Sequence, residues 1–90
     1  MPFRRTLELT PEDRTQLTHH RDHDARPFVR ERCAALLKVA AGLSPPAVAR
    51  HGLLRPRDPD TVYEWVRWYE KLGFFSVEHF RHGGAHRRSL

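Results

Sequence analysis

The chain contains one cysteine, Cys33, and no long hydrophobic run. A single thiol can form neither an internal disulfide nor a multi-cysteine zinc site, and the apolar residues around Cys33 predict that its side chain is buried. The longest nearly apolar stretch, residues 33–43, is interrupted by Lys38 and Gly42 and is well short of the ~20 residues that a membrane-spanning helix needs. No apolar segment follows the basic residues at the N-terminus. We therefore expect no secretory signal, no membrane association and a cytoplasmic location.

The sequence also lacks the usual signatures of catalysis. It has no glycine-rich phosphate loop, and no serine, histidine and acidic residue stand in a context that identifies a nucleophile. His19 and His23 are four residues apart, but a pair of histidines needs a third ligand and a fixed scaffold to make a metal centre. We therefore expect no enzyme, no cofactor and no metal site. The histidines are interpreted as surface residues, with a metal site as the less favoured alternative.

The composition is that of one small globular domain with a modest core, since 39% of the 90 residues are hydrophobic and 30% are charged. The chain has 16 basic and 11 acidic residues, a net charge of +5. Fourteen of the basic residues are arginine, while isoleucine and asparagine are absent, which together indicate a GC-rich coding bias. The basic balance favours nucleic acid or another polyanion as the partner.

The first two helices are predicted from start signals and apolar spacing. Thr10-Pro11-Glu12-Asp13 gives a hydroxyl cap, a proline in the first turn and acidic residues at the positive end of the helix dipole, so helix one begins there. We expect it to end near His20, with Leu17 as its one clear core residue. Helix two follows Pro27 and ends before Gly42, a residue suited to a left-handed cap. Its apolar stripe excludes Arg30, Arg32 and Lys38 and is formed by Val29, Cys33, Leu36, Leu37 and Ala40.

Two further helices are predicted toward the C-terminus. Ser44-Pro45-Pro46 begins a short helix three that ends near Gly52, and Asp58-Pro59 begins helix four after a proline-containing turn. Helix four precedes Gly73, and its apolar face is formed by Val62, Trp65, Val66, Tyr69 and Leu72. The chain is thus predicted to be all-α, with an arm at residues 1–9, a four-helix domain at 10–73, and an aromatic, then basic tail at 74–90.

The order of these elements is that of a helix-turn-helix, in which the last helix lies in the major groove of DNA. Ala47 and Ala49 would let helix three approach helix four closely, and Trp65 and Val66 would fill the space between these two helices and helix two. A small helical bundle of another kind is the alternative. Trp68 lies off the main stripe of helix four, so it either contacts the folded-back tail or contributes to an exposed apolar patch.

Several motifs resemble the N-terminal, homeodomain-like helix-turn-helix domain of mariner-like bacterial insertion-sequence transposases. The similarity spans residues 7–88 and is carried by Leu9-Thr10-Pro11-Glu12-Asp13-Arg14, Gly42-Leu43-Ser44, Ala47-Val48-Ala49-Arg50, Thr61-Val62-Tyr63-Glu64-Trp65 and Trp68-Tyr69-Glu70-Lys71-Leu72-Gly73-Phe74. The resemblance implies sequence-specific binding of double-stranded DNA, by a stand-alone or truncated transposase DNA-binding domain or by a regulator derived from one. The turn before Thr61 is slightly longer here than in the family. The family's catalytic domain, with its three acidic metal ligands, has no counterpart in these residues, so we expect no DNA cleavage or joining.

Within this interpretation, the start of helix four would contact base edges. The residues expected there are Thr61, Tyr63, Glu64 and Arg67, of which Arg67 suits guanine, Glu64 suits cytosine, and Tyr63 suits a thymine methyl group or a phosphate. Lys71, near the end of helix four and off its apolar face, is also expected to contact DNA. The residues expected on phosphates are Arg50, Arg55, Arg57 and Ser44, and those of the basic arms are Arg4, Arg5, Arg87 and Arg88.

One feature opposes DNA binding. Residues 58–72 contain four acidic and two basic side chains, so the expected recognition helix is the acidic part of a basic protein. Asp58 and Asp60 are explained by the helix dipole, but they weaken attraction to phosphate. The alternative function is therefore a small protein-interaction or adaptor module that keeps the fold without DNA binding. Its partner would be a second copy of the chain or a separately encoded protein. DNA binding, the function to which this module is the alternative, implies that the protein associates with the nucleoid.

Overall fold

The computed structural model describes residues 7–79, which form five α-helices and no strand. Helix α1 spans Pro11–His23, α2 spans Pro27–Ala40, α3 spans Pro45–His51, α4 spans Pro59–Leu72 and α5 spans Phe74–His79. The predicted all-α class is confirmed. The predicted count of four helices is wrong, because part of the segment interpreted as an aperiodic tail forms α5. None of the helices in the described range is long and apolar enough to cross a membrane.

The two predicted side-chain caps, at Thr10 and Ser44, are present, and Asp58 provides a third. Thr10 and Asp13 form a reciprocal capping box, in which the Asp13 amide donates to Thr10 Oγ1 at 3.0 Å and the Thr10 amide donates to Asp13 Oδ2 at 3.3 Å. Ser44 Oγ accepts a backbone amide of the first turn of α3 at 3.3 Å. Asp58 accepts one from the first turn of α4 at 2.8 Å. Each bond satisfies an amide that the helix itself leaves without a partner, which fixes where the helix begins.

Local hydrogen bonds determine where helices α1 and α2 end. Helix α1 continues one turn beyond the expected end near His20, because Asp24 closes it with its amide on His20 O at 3.1 Å and its carboxylate 2.8 Å from His20 Nδ1. Helix α2 ends in a Schellman motif, as the amides of Gly42 and Leu43 donate to the carbonyls of Val39 and Lys38. Gly42 has φ of +113°, a conformation that strains any residue with a Cβ atom.

Helix α2 is the centre of the core. Helices α1, α3, α4 and α5 all pack against it, while α3 and α5 also pack against α4. Leu17 is fully buried, as predicted, and Cys33 is buried within the α2 stripe. Leu7 is also a core residue, and Leu9 packs partly against the core, so the last residues of the expected arm belong to the folded domain.

Arg32 departs from the prediction that it lies outside the apolar stripe of α2. Its side chain is buried, with only 4% of the residue exposed. Nη1 donates to the carbonyls of Ser76 at 3.1 Å and Val77 at 3.2 Å, both in α5. The guanidinium also lies 5.6 Å from the ring centroid of Trp65 and 5.8 Å from that of Trp68. Arg32 therefore fastens α5 to the surface formed by α2 and α4.

Candidate nucleic-acid interface

The pairing of α3 with α4 depends on small and buried side chains. Helix α3 packs directly on α4, and its Val48 and Ala49 are fully buried while Ala47 is half-buried. On α4, Trp65 and Val66 are buried, as predicted. The outward sides of α3, of the following turn and of α4 therefore belong to one packed unit and can present a common surface.

The outward stripe of α4 has acidic residues in its first half and basic residues in its second. Asp60, Glu64, Arg67 and Lys71 follow one another at spacings of four, three and four residues, which places them on one side of the helix, opposite the buried stripe. Asp60, Arg67 and Lys71 are exposed, and Glu64 is half-buried. The order of charges matches the helix dipole, which favours acidic residues near the start and basic residues near the end.

The remaining predicted contacts differ in accessibility. Thr61 and Tyr63 are half-buried beside the outward stripe of α4. Arg50 at the end of α3 and Arg55 in the following turn are exposed. Ser44 is half-buried, and its hydroxyl caps α3. The last four predicted residues lie outside the described part of the chain, and they are Arg4, Arg5, Arg87 and Arg88.

Arg57 forms hydrogen bonds to other residues of the domain. Its guanidinium makes two parallel bonds to the Glu31 carboxylate of α2, Nε to Oε2 at 2.6 Å and Nη2 to Oε1 at 2.7 Å. Its amide donates to the Ala49 carbonyl at 2.7 Å. The hydrogen bonds to Glu31 raise the pKa of Arg57 above its ordinary value. Arg57 therefore ties the turn between α3 and α4 to both α2 and α3, a role that sequence spacing does not reveal because Glu31 lies on another element.

Replacing Glu31 with glutamine is expected to lower the free energy of unfolding by about 1 kcal/mol, because the pair is bidentate but still partly exposed, Glu31 by 19% and Arg57 by 32% of their side chains. Thermal unfolding followed by circular dichroism measures the loss. Glu8, an exposed residue, provides the control Glu8→Gln, which is expected to leave Tm unchanged. A double-mutant cycle with Arg57→Gln isolates the interaction. Strictly additive losses in that cycle would contradict the pairing.

The described residues contain no dense cluster of metal-ligating side chains. Within residues 7–79, no group of three or more histidine, cysteine, aspartate or glutamate side chains is arranged to hold a metal ion. Cys33 is buried, and desolvation raises the pKa of its thiol to about 12, so it stays protonated at neutral pH.

Four positively charged side chains of the surface on α3, the turn and α4 are exposed to solvent. Arg50 lies at the end of α3, Arg55 in the following turn, and Arg67 and Lys71 on α4. Such a distribution suits a polyanion that spans both helices. A comparison of the chain with known protein families, with curated proteins and with solved structures finds no match.

Proposed function

We propose that this domain binds double-stranded DNA as a helix-turn-helix, with α4 as the recognition helix and α3 and the turn against the backbone. The observation that carries the proposal is the set of four exposed cations, Arg50, Arg55, Arg67 and Lys71, on two helices and a turn that pack as one unit. The resemblance of the sequence to transposase DNA-binding domains supports it. The domain would act as a DNA-binding domain of that kind, or as part of a regulator derived from one.

Two of the four acidic residues in 58–72, Asp58 and Glu64, can be assigned roles that are compatible with this proposal. Asp58 caps the helix through its bond to a first-turn amide, so its charge serves folding. In this proposal Glu64 would accept a hydrogen bond from the amino group of cytosine, and Arg67, one turn further along, would donate two to guanine. Because the start of the helix is acidic, most of the attraction to phosphate comes from Arg50, Arg55 and Lys71.

The test is fluorescence anisotropy of the purified chain with labelled random duplex DNA across a salt series. We expect non-specific dissociation constants of about 1–100 μM that weaken steeply with salt. If Arg50, Arg55 and Lys71 each neutralise one phosphate, the slope of log K against log salt is about −2.7, since each released counterion contributes about −0.9. The basic arms would make the slope steeper. Absence of binding at low salt would refute the proposal.

Arg67→Ala is expected to separate base contacts from phosphate contacts. Once a preferred site has been selected from random duplexes, the variant should lose about 1–3 kcal/mol of binding to that site and less on random DNA. Arg14, an exposed arginine on α1, gives the matched control Arg14→Ala, which is expected to retain specificity. Equal losses on the selected site and on random DNA would place Arg67 on the phosphates instead.

The second candidate function is a protein-interaction module. It is favoured by exposed apolar side chains at the junction of α4 and α5, where Leu72 and Phe75 keep 46% and 53% of their surface accessible. The acidic first half of α4 also favours it. The partner would be a second copy of the chain or another protein. Failure of DNA binding at low salt, together with self-association in sedimentation experiments, would select this function.

A further inference from the structure

Two histidine side chains on α1 lie side by side on its surface. His19 and His23 are both exposed, and their ring centroids are 4.8 Å apart with the ring planes inclined by 43°. The helix that carries them has 13 residues and is closed by a capping box at its start and by Asp24 at its end. The backbone therefore holds the two Cα atoms at a fixed one-turn separation, which is the spacing that lets paired helical histidines share a metal ion.

The separation of the rings agrees with the geometry of chelation. A metal–nitrogen bond of about 2.0–2.1 Å, with the ring centre roughly 1.1 Å behind the nitrogen, places each centroid about 3.2 Å from a bound ion. For nitrogen–metal–nitrogen angles from square (90°) to tetrahedral (109°), the two centroids are then about 4.5–5.2 Å apart. The observed 4.8 Å lies within this interval. An ion can therefore be bound without a rearrangement of the helix.

The surroundings distinguish this pair from the third histidine of α1. His20 bonds to the Asp24 carboxylate at 2.8 Å and its ring lies 4.6 Å from that of Phe74, so it belongs to the contact between α1 and α5. His19 and His23, by contrast, are both exposed, so an ion can reach them from solvent.

We propose that His19 and His23 form a two-histidine chelating site for a divalent transition-metal ion. Since no third histidine, cysteine or carboxylate within residues 7–79 completes the site, water or an exogenous ligand occupies the other coordination positions. Imidazole ligands suit Cu²⁺, Ni²⁺ and Zn²⁺, and the general order of stability makes Cu²⁺ the tightest of them. The site lies on α1, a helix that the proposed DNA contact does not use.

Thermal unfolding in the presence of Zn²⁺ or Cu²⁺ tests the site. Because the folded helix holds the two histidines one turn apart and the unfolded chain does not, Tm should rise by roughly 7 °C for each tenfold increase of free ion above its Kd. Both residues are exposed, so His19→Ala is expected to fold normally and to lose this rise. The matched control is the double variant His82→Ala/His86→Ala, which removes a pair of the same spacing elsewhere in the chain and should keep it.

The location of binding is read independently by NMR. Substoichiometric Cu²⁺ is paramagnetic and should broaden the amide signals of α1 around His19 and His23 selectively, with the effect lost in His23→Ala. Broadening confined to the C-terminal histidines, or a Tm rise that survives His19→Ala and disappears in the His82→Ala/His86→Ala control, would overturn the proposal. So would the absence of both a Tm rise and selective broadening with either ion.

Discussion

Trp65→Ala is expected to remove most of the stability of this domain. Trp65 is 5% exposed, lies in the core stripe of α4 and faces the buried guanidinium of Arg32. Truncating a buried tryptophan costs about 3–5 kcal/mol, while a domain of this size is stable by roughly 4–11 kcal/mol in total. Circular dichroism should therefore show a Tm lowered by about 15 °C or more, or no cooperative transition at all.

Trp65→Phe is the informative control for this variant. The indole Nε1–H is buried, and within the described residues it has no hydrogen-bond partner. A buried donor without a partner costs about 1–3 kcal/mol, which phenylalanine avoids while it still fills most of the volume. The loss should therefore be much smaller than with alanine. An unchanged melting curve for Trp65→Ala would show that the side chain is not buried, and equal losses for both variants would reveal an interaction of the indole nitrogen.

Arg32→Ala is expected to have the second largest effect, a loss of about 3 kcal/mol or more. The substitution removes both hydrogen bonds to the carbonyls of Ser76 and Val77 and the contact of the guanidinium with the rings of Phe28, Trp65 and Trp68. It also leaves a cavity where the side chain was, and the two carbonyls lose the donor that they accept from. Since Arg32 fastens α5, amide exchange should accelerate in α5 more than in α1. Hydrogen exchange followed by NMR measures both helices in one experiment.

Arg32→Lys separates charge from shape. Lysine keeps the positive charge but lacks the planar fork that lies among the rings, so the variant should fall between the wild type and Arg32→Ala in stability. The control Arg14→Ala removes an exposed arginine of α1 and should leave Tm unchanged. If exchange in α5 were the same in the wild type and in Arg32→Ala, Arg32 would not be the residue that holds α5.

The features that were predictable from sequence are local ones. The caps at Thr10, Ser44 and Asp58 and the glycine at the end of α2 depend on hydrogen bonds within a few residues, so residue type and spacing indicate them. The buried stripes of α2 and α4 follow from one helical period. The single core residue of α1, Leu17, was predicted for the same reason. The prediction is wrong at Leu72, which was placed on the apolar face of α4 but is 46% exposed at the end of the helix.

The features that escaped prediction depend on residues far apart in the chain. Arg32 was placed outside the stripe of α2 because arginine is rarely buried, and only the docking of α5 explains its burial. Helix α5 has six residues, too few to display a period. In the candidate site, the arginines of the turn between α3 and α4 were all interpreted as phosphate contacts. The bond of Arg57 to Glu31, which lies 26 residues earlier, could not be anticipated from an arginine-rich segment.

The buried thiol of α2 gives the domain a built-in reporter of its own opening. Cys33 is the single cysteine of the chain, it has no exposed surface, and its pKa is far above neutral. Alkylating and disulfide reagents attack a thiolate that solvent can reach, so they modify Cys33 only during excursions in which α2 separates from its neighbours. The rate of Cys33 modification therefore measures how often the domain opens. Opening can be followed in this way in the natural sequence, without an introduced label.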